Sequence, residues 1–223
     1  MKVPVVRNIL EANDRIAAEN RALFDRHKVF CFNLISSPGA GKTTVLERTI
    51  EALAGKVALG VIEGDITSSE DARRIAKKGV KAVQINTDGG CHLDGSQIRR
   101  AMEEFDLASL DIMIVENVGN LVCPAEFNVG EHLKVMILSV AEGDDKPLKY
   151  PVIFRTSSVL LINKIDLLPY VDCSVEKIRK RSLKINPKLH IFEVSARNGE
   201  GIEAWAKWLR SKVRRGKRHE AKG

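Results

Sequence analysis

Apolar, β-branched runs recur along the chain at Val29–Ile35, Val57–Ile62, Ala82–Ile85, Ile112–Val115, Val135–Val140, Val159–Ile162 and Ile191–Val194. Each is short and predominantly apolar, the pattern of a strand covered on both faces. Between most of them lie amphipathic stretches with helical spacing: Ser68–Lys78, Asp94–Phe105, Ser174–Ile185 and Ile202–Val213. A further helix is predicted over residues 4–27, with Val6, Ile9, Leu10, Ile16, Ala17 and Leu23 as its apolar positions. Strands alternating with helices predict an α/β fold, a doubly wound, mostly parallel sheet of about seven strands with helices on both faces. The expected division is an N-terminal helix packed on the main domain (1–28), one α/β domain (29–213) and a basic, disordered tail (214–223).

A chain of 223 residues is long enough for one such domain with a full core. No apolar run approaches the roughly 20 residues needed to cross a bilayer, and Met1-Lys2-Val3-Pro4 opens no secretory signal. A cytoplasmic location without a membrane partner is therefore expected. The net charge of +7 sits at one end: Arg210, Lys212, Arg214, Arg215, Lys217, Arg218 and Lys222 face a single acid, Glu220. The rest of the chain is nearly neutral, so the tail reads as a solvated end and no nucleic-acid partner is expected. The four cysteines do not suggest a disulfide framework. Cys31 falls inside the first strand and reads as core, and Cys173 near a helix start has no evident partner.

The segment Ser36-Ser37-Pro38-Gly39-Ala40-Gly41-Lys42-Thr43-Thr44 joins the first strand to a helix whose apolar face is Val45, Leu46, Thr49, Ile50 and Leu53. A strand, a glycine loop and a helix N-terminus aim several backbone N–H groups at one spot, as in a P-loop. Residues Ser37 to Thr44 then contact polyphosphate, Lys42 reaches its β/γ end and the Thr43 hydroxyl ligates Mg²⁺. Ser36 stands where the usual pattern has its first Gly, a position more tolerant than Gly41-Lys42-Thr43. The fold is accordingly expected to be that of a P-loop NTPase.

Asn163-Lys164-Ile165-Asp166 follows the sixth run, about 120 residues beyond the P-loop. The Asp166 carboxylate can accept the N1–H and exocyclic amine of guanine, whereas adenine would meet it with a lone pair. Lys164 can pack along the base and Asn163 can tie this loop to the P-loop. The pattern resembles the guanine-specificity motif of GTPases, and Ser195-Ala196-Arg197 resembles their second base-contacting loop. GTP and GDP are the expected nucleotides. Asp65 and Glu116, each after a strand, are the expected acids for Mg²⁺, with Glu116 in the place of the usual Asp of Asp-x-x-Gly and Gly119 keeping the glycine. Glu70 and Asp71 are weaker candidates, because acids also favour a helix N-terminus. No arginine finger or positioning glutamine can be located, so slow, switch-type hydrolysis is expected unless a partner supplies groups.

Cys91 and His92 follow the third strand, and Cys123 lies seven residues beyond Glu116. Two thiolates and an imidazole suit Ni²⁺ or Zn²⁺ and not Mg²⁺. Three ligands are one short of a closed tetrahedral site, and a two-fold dimer would bring two sets together. His132 is a more distant candidate ligand. By spacing alone, two cysteines about thirty residues apart are more often unrelated small hydrophobes than ligands of one metal. Seven residues span at most about 25 Å, so a shift at Glu116 can be felt at Cys123.

The segments Ser37–Thr43, Gly90–Asp94, Glu116–Phe127 and Asn163–Leu167 resemble those of the HypB family of hydrogenase nickel-incorporation GTPases, and the likeness covers residues 4–213. The resemblance implies a SIMIBI-class G domain that dimerises with GTP and carries a metal site at the dimer interface, with Cys91, His92 and Cys123 as ligands. It implies delivery of Ni²⁺ to the large subunit of [NiFe] hydrogenase, together with a HypA-type zinc accessory protein. Many bacterial members add a Cys-rich nickel motif at the N-terminus. No Cys precedes Cys31 here and no His precedes His27, so neither that second site nor a storage role is expected. The alternatives are a nickel chaperone for urease, a chaperone for a cobalamin enzyme, a structural zinc dimer, or a P-loop small-molecule kinase, which would have no need of Asn163–Asp166.

Overall fold

The computed structural model describes residues 5–65 and 70–213. In chain order the elements are α1 (Val5–Arg26), β1 (Phe30–Ser36), α2 (Lys42–Leu53), β2 (Leu59–Asp65), α3 (Glu70–Ala76), β3 (Lys81–Asn86), α4 (Gly95–Met102) and β4 (Ile112–Glu116). There follow α5 (Cys123–Glu126), β5 (Leu133–Ser139), α6 (Lys146–Lys149), α7 (Pro151–Thr156), β6 (Val159–Asn163), α8 (Val175–Ile185), β7 (His190–Glu193) and α9 (Ile202–Ser211). Every strand expected from an apolar run is present. All six pairings are parallel, and the sheet order is β3-β2-β4-β1-β5-β6-β7.

Alternate residues of each strand feed opposite faces. Phe32, Leu34, Ile112, Ile114, Val135 and Ile137 pack with Val45, Leu46 and Ile50 of α2 and Trp205 and Leu209 of α9 on one face. The other face is filled in two halves. Cys31, Ile62, Met113 and Val115 lie under Phe24 of α1 and Ile98 of α4. Ile35, Met136, Leu138 and Ile162 lie under Ile153 and Phe154 of α7 and Ile178 of α8. This two-sided cover explains why the central strands are predominantly apolar on both faces.

Two local findings depart from the sequence pattern. The buried stripe of α1 is Asn13, Ala17, Asn20 and Phe24, while Leu10, Ile16 and Leu23 are only partly covered. Phe24 is fully buried, worth about 2–3 kcal/mol; Val6 and Ile9 lie outside the described side chains. The short helices α5, α6 and α7 have proline in their first turns and are too short to show periodicity. Of the helix expected over Ser68–Lys78, α3 covers Glu70–Ala76, and Ser68 and Ser69 lie outside the described residues. The basic tail over 214–223 is also outside them. Among the described residues no helix is long and apolar enough to cross a membrane.

Candidate nucleotide and metal site

The loop after β1 runs from Ser37 into α2, whose first residues are Lys42, Thr43 and Thr44. The side chain of Ser36 is buried; its Oγ donates to the Ser37 carbonyl at 2.6 Å and accepts from Lys42 Nζ at 3.3 Å. Serine in place of the usual glycine thus sits inward, with its hydroxyl turned to the lysine. Thr44 Oγ1 accepts from Arg74 of α3 at 3.3 Å. Gly119, after β4, comes so close to Pro38 that an added Cβ would lie 3.2 Å from its Cα. The end of β4 therefore rests on the glycine loop, and only glycine fits there without displacing it.

Beneath this loop the Thr43 hydroxyl donates to Glu116 Oε1 at 2.9 Å, both residues buried. Glu63 lies opposite Glu116 in the register of β2 and β4 and is also buried. Two carboxyls in contact cannot both ionise. Burial first, then the charge of Glu116, pushes the Glu63 carboxyl up to about 10. Burial also raises Glu116, but the Lys42 charge and hydrogen bonds from Glu63 and Thr43 oppose it. At neutral pH Glu63 therefore carries the proton and donates it to Glu116. Glu63 Oε1 and Glu116 Oε2 are buried without a partner. Asp65 lies two residues beyond Glu63 on the same side of β2, half-exposed at the strand end. Asp71 is ion-paired with Arg74 at 3.0 Å, in keeping with a helix-terminal role.

The second loop system closes over the first. Asn163 Nδ2 donates to the Ala40 carbonyl at 2.9 Å, and its Oδ1 accepts from Ala196 N at 3.2 Å. Lys164, in the left-handed region, reaches the Gly39 carbonyl with Nζ at 2.7 Å. Ser195 Oγ donates to Asp166 Oδ1 at 2.5 Å. Arg48 of α2 donates to the carbonyls of Ala196 and Arg197. The segments singled out at residues 36–44, 163–166 and 195–197 thus meet in one place.

Cys91, His92 and Cys123 also meet. The two sulfurs are 2.9 Å apart, Cys91 Sγ is 3.4 Å from His92 Nδ1, and all three donor atoms lie within 4.8 Å of one another. The His92 ring lies 3.7 Å from that of Phe127, centroid to centroid. Burial holds the His92 pKa below its ordinary value, leaving a neutral ring with a free lone pair at pH 7. The hydrogen bond with Cys123, then burial, raises Cys91.

Residues 31–193 match the CobW/HypB/UreG nucleotide-binding domain family. The hydrogenase maturation factor HypB of Azotobacter chroococcum is 50% identical over 207 residues, which cover 93% of this chain and 68% of that protein. The chain belongs to the HypB family. A second relative, the hydrogenase/urease maturation factor HypB of Helicobacter pylori, is 38% identical over 216 residues, covering 95% of this chain and 88% of the relative. A crystal structure of HypB from Helicobacter pylori in complex with nickel superposes with a TM-score of 0.86 at 38% identity, covering 90% of this chain and 94% of that one.

The two donor sets differ in hardness and so suit different ions. Orphaned carboxyl oxygens on Glu63 and Glu116 beside the Thr43 hydroxyl are the hard oxygen donors Mg²⁺ takes. Two sulfurs and a neutral imidazole are the softer set of Ni²⁺ or Zn²⁺. His132 is elsewhere: it precedes β5 at the opposite end of the sheet, with Nδ1 accepting from Cys31 N at 2.9 Å and Nε2 3.3 Å from Asp25. Cys31 is buried core.

Motif reading did not single out the residues that join the two centres. Asn117, next to Glu116, is buried; its Oδ1 accepts from Leu93 N at 3.0 Å and its Nδ2 donates to Asn33 at 3.1 Å. Asn120 Nδ2 donates to the Cys91 carbonyl at 3.1 Å. The loop bearing Cys91 and His92 therefore hangs from the segment that starts at Glu116 and ends at Cys123. Glu63, two positions before Asp65 on β2, is a further acid at this site that no motif marks. A charged residue continuing a buried apolar strand was the available signal, since such a group needs a partner.

Proposed function

We propose that this chain is a GTP-hydrolysing metallochaperone that takes Ni²⁺ as cargo on Cys91, His92 and Cys123 and serves nickel insertion into [NiFe] hydrogenase. The observation that carries the reading is the hydrogen-bonded span from Thr43 and Glu116 through Asn117 and Asn120 to Cys91 and Cys123. One peptide segment thus feels both the triphosphate pocket and the sulfur donors.

Lys42 and the loop Ser37–Thr44 neutralise and position the phosphates, while Asp166, Lys164, Ser195 and Ala196 recognise guanine and Asn163 fixes their loop to the P-loop. Thr43, Glu116 and Asp65, with Glu63 beside them, would hold Mg²⁺. That ion, when bound, offsets charge that develops on the phosphate oxygens. The Thr43 oxygen and the free Glu116 Oε2, drawn to that ion, would pull on the end of β4, and with it on the neighbouring Asn117 and Gly119. Loop rearrangement keyed to the terminal phosphate is the established logic of such switches.

Cys91 is exposed, and Val122 beside Cys123 is 55% exposed, so the three-donor set lies open at the surface. A second copy bringing its own set completes the coordination, and GTP favours that pairing. A HypA-type zinc protein and the hydrogenase large subunit are the expected partners downstream. Urease is a second possible recipient of the cargo, favoured by the dual naming of the Helicobacter pylori relative.

The test is a Ni²⁺ titration of parent and Cys123→Ala proteins, with GTP affinity followed in parallel. The variant should lose at least a hundredfold in nickel affinity while binding GTP within twofold of the parent. Equal nickel binding by the two proteins would refute the assignment. Transfer of labelled nickel to apo-hydrogenase or apo-urease then identifies the recipient.

A further inference from the structure

Helix α1 carries two asparagines on its buried stripe, where the sequence pattern leads one to expect aliphatic side chains. Asn20 is fully buried, and its Nδ2 donates to the Gly95 carbonyl at 2.7 Å and to the Val129 carbonyl at 3.2 Å. Asn13 Oδ1 accepts from Gly95 N at 2.8 Å, and its Nδ2 donates to the Asn128 carbonyl at 2.8 Å. Arg21, one helical turn from Ala17, donates to the Glu131 carbonyl. Each asparagine thus bridges the same two segments. One is the turn at Gly95, which follows Cys91 and His92 and is capped by Asp94. The other is the stretch 128–131, which follows Cys123 and the ring partner of His92, Phe127.

The contact is close as well as polar. Gly130 has φ +100, and a Cβ there would lie 2.6 Å from Asn20 Cβ and 2.9 Å from the Ala17 carbonyl. A buried amide satisfying backbone groups of two loops holds both at fixed separation, and leaving those groups unpaired is costly. Cys91 and Cys123 are 32 residues apart in the chain, so their spacing depends on such ties. On the nucleotide side the tie is Asn117; on the other side it is α1.

We propose that Asn13 and Asn20 are positioning residues for the Cys91–His92–Cys123 site, so that the seating of α1 on the domain sets the metal affinity of that site. This rests on the proposed metal-binding role. Displacing α1 lets the Gly95 turn and the 128–131 stretch separate, which opens the sulfur pair and weakens the grip on the cargo. The helix is thereby a control surface for the site without contributing a ligand to it.

The test uses full-length protein, with Co²⁺ as a spectroscopic probe and a fluorescent GDP analogue as the control. Asn20→Ala should weaken Co²⁺ binding about tenfold and change the sulfur-to-metal charge-transfer and ligand-field bands, with GDP-analogue affinity within twofold of the parent. Asn13→Asp keeps the acceptor for Gly95 N and loses the donor to Asn128, so it should give a smaller shift in the same direction. It also serves if Asn20→Ala does not fold. Unaltered Co²⁺ affinity and spectrum in a folded variant overturn the proposal and leave these asparagines as fasteners only. Absence of Co²⁺ binding in the parent, or binding that survives Cys123→Ala, would instead defeat the metal-site reading itself.

Discussion

Replacing Glu63 by Gln tests the buried carboxyl pair at the end of β2 and β4. In the metal-free, nucleotide-free protein Glu63 holds its proton up to about pH 10, whereas an unfolded glutamate loses it near its ordinary value of about 4.5. Between those limits the folded state binds one more proton than the unfolded state. The contribution is fully present below the lower value and is lost as pH rises toward the upper one, so stability falls with rising pH. One proton amounts to about 1.4 kcal/mol per pH unit, or about 3 kcal/mol between pH 6 and pH 8. Glu63 is only 2% exposed, so solvent screening removes little of this. Gln keeps a donor for Glu116 and cannot ionise. Denaturant unfolding of both proteins with chelator at several pH values isolates the carboxyl pair, because titrations remote from Glu63 and Glu116 cancel in the difference. The advantage of Glu63→Gln should grow by about 3 kcal/mol from pH 6 to pH 8, about 6–12 °C in melting temperature for a chain of this size. A stability difference that does not change with pH would refute the shared-proton arrangement.

Three further outcomes are expected. Lys42→Ala should lower GTP turnover by about a hundredfold or more, read as phosphate release under saturating GTP, because it removes the charge nearest the transferred phosphoryl group. Asp166→Ala should collapse the preference for GTP over ATP in a competition assay, since the carboxylate that Ser195 orients is the group that adenine would repel. Asn163→Ala should cost about 2–3 kcal/mol in chemical denaturation and weaken nucleotide binding, because it orphans the Ala40 carbonyl and the Ala196 amide at once.

What the sequence made legible follows from how far apart the cooperating residues lie. The strands were readable because each central one is covered on both faces and so is predominantly apolar. The P-loop and the Asn163–Asp166 segment were readable because their function is built into contiguous residues, and their meeting in the fold depends only on both lying at strand ends. Cys91, His92 and Cys123 were recoverable as candidates from donor chemistry, although spacing could not say that they meet. Glu63, Asn117, Asn13 and Asn20 were not readable. Each acts through a partner more than 20 residues away, on a strand register or helix face that no local pattern specifies. Phe24 escaped for a related reason: the stripe of α1 rotates to bring two amides onto backbone groups, and an apolar count places the face one step aside. His132 shows the converse, since a histidine of plausible chemistry stands at the wrong end of the sheet to join the sulfurs.

The most direct measurement is sedimentation of the full-length protein with nickel, loaded in parallel with GDP and with a non-hydrolysable GTP analogue, and with bound metal counted per chain in each species. The expected result is a GTP-loaded dimer holding its nickel through Cys91, His92 and Cys123, and a GDP-loaded form that is mostly monomeric and binds nickel more weakly. Identical association and identical nickel content in the two nucleotide states would contradict it.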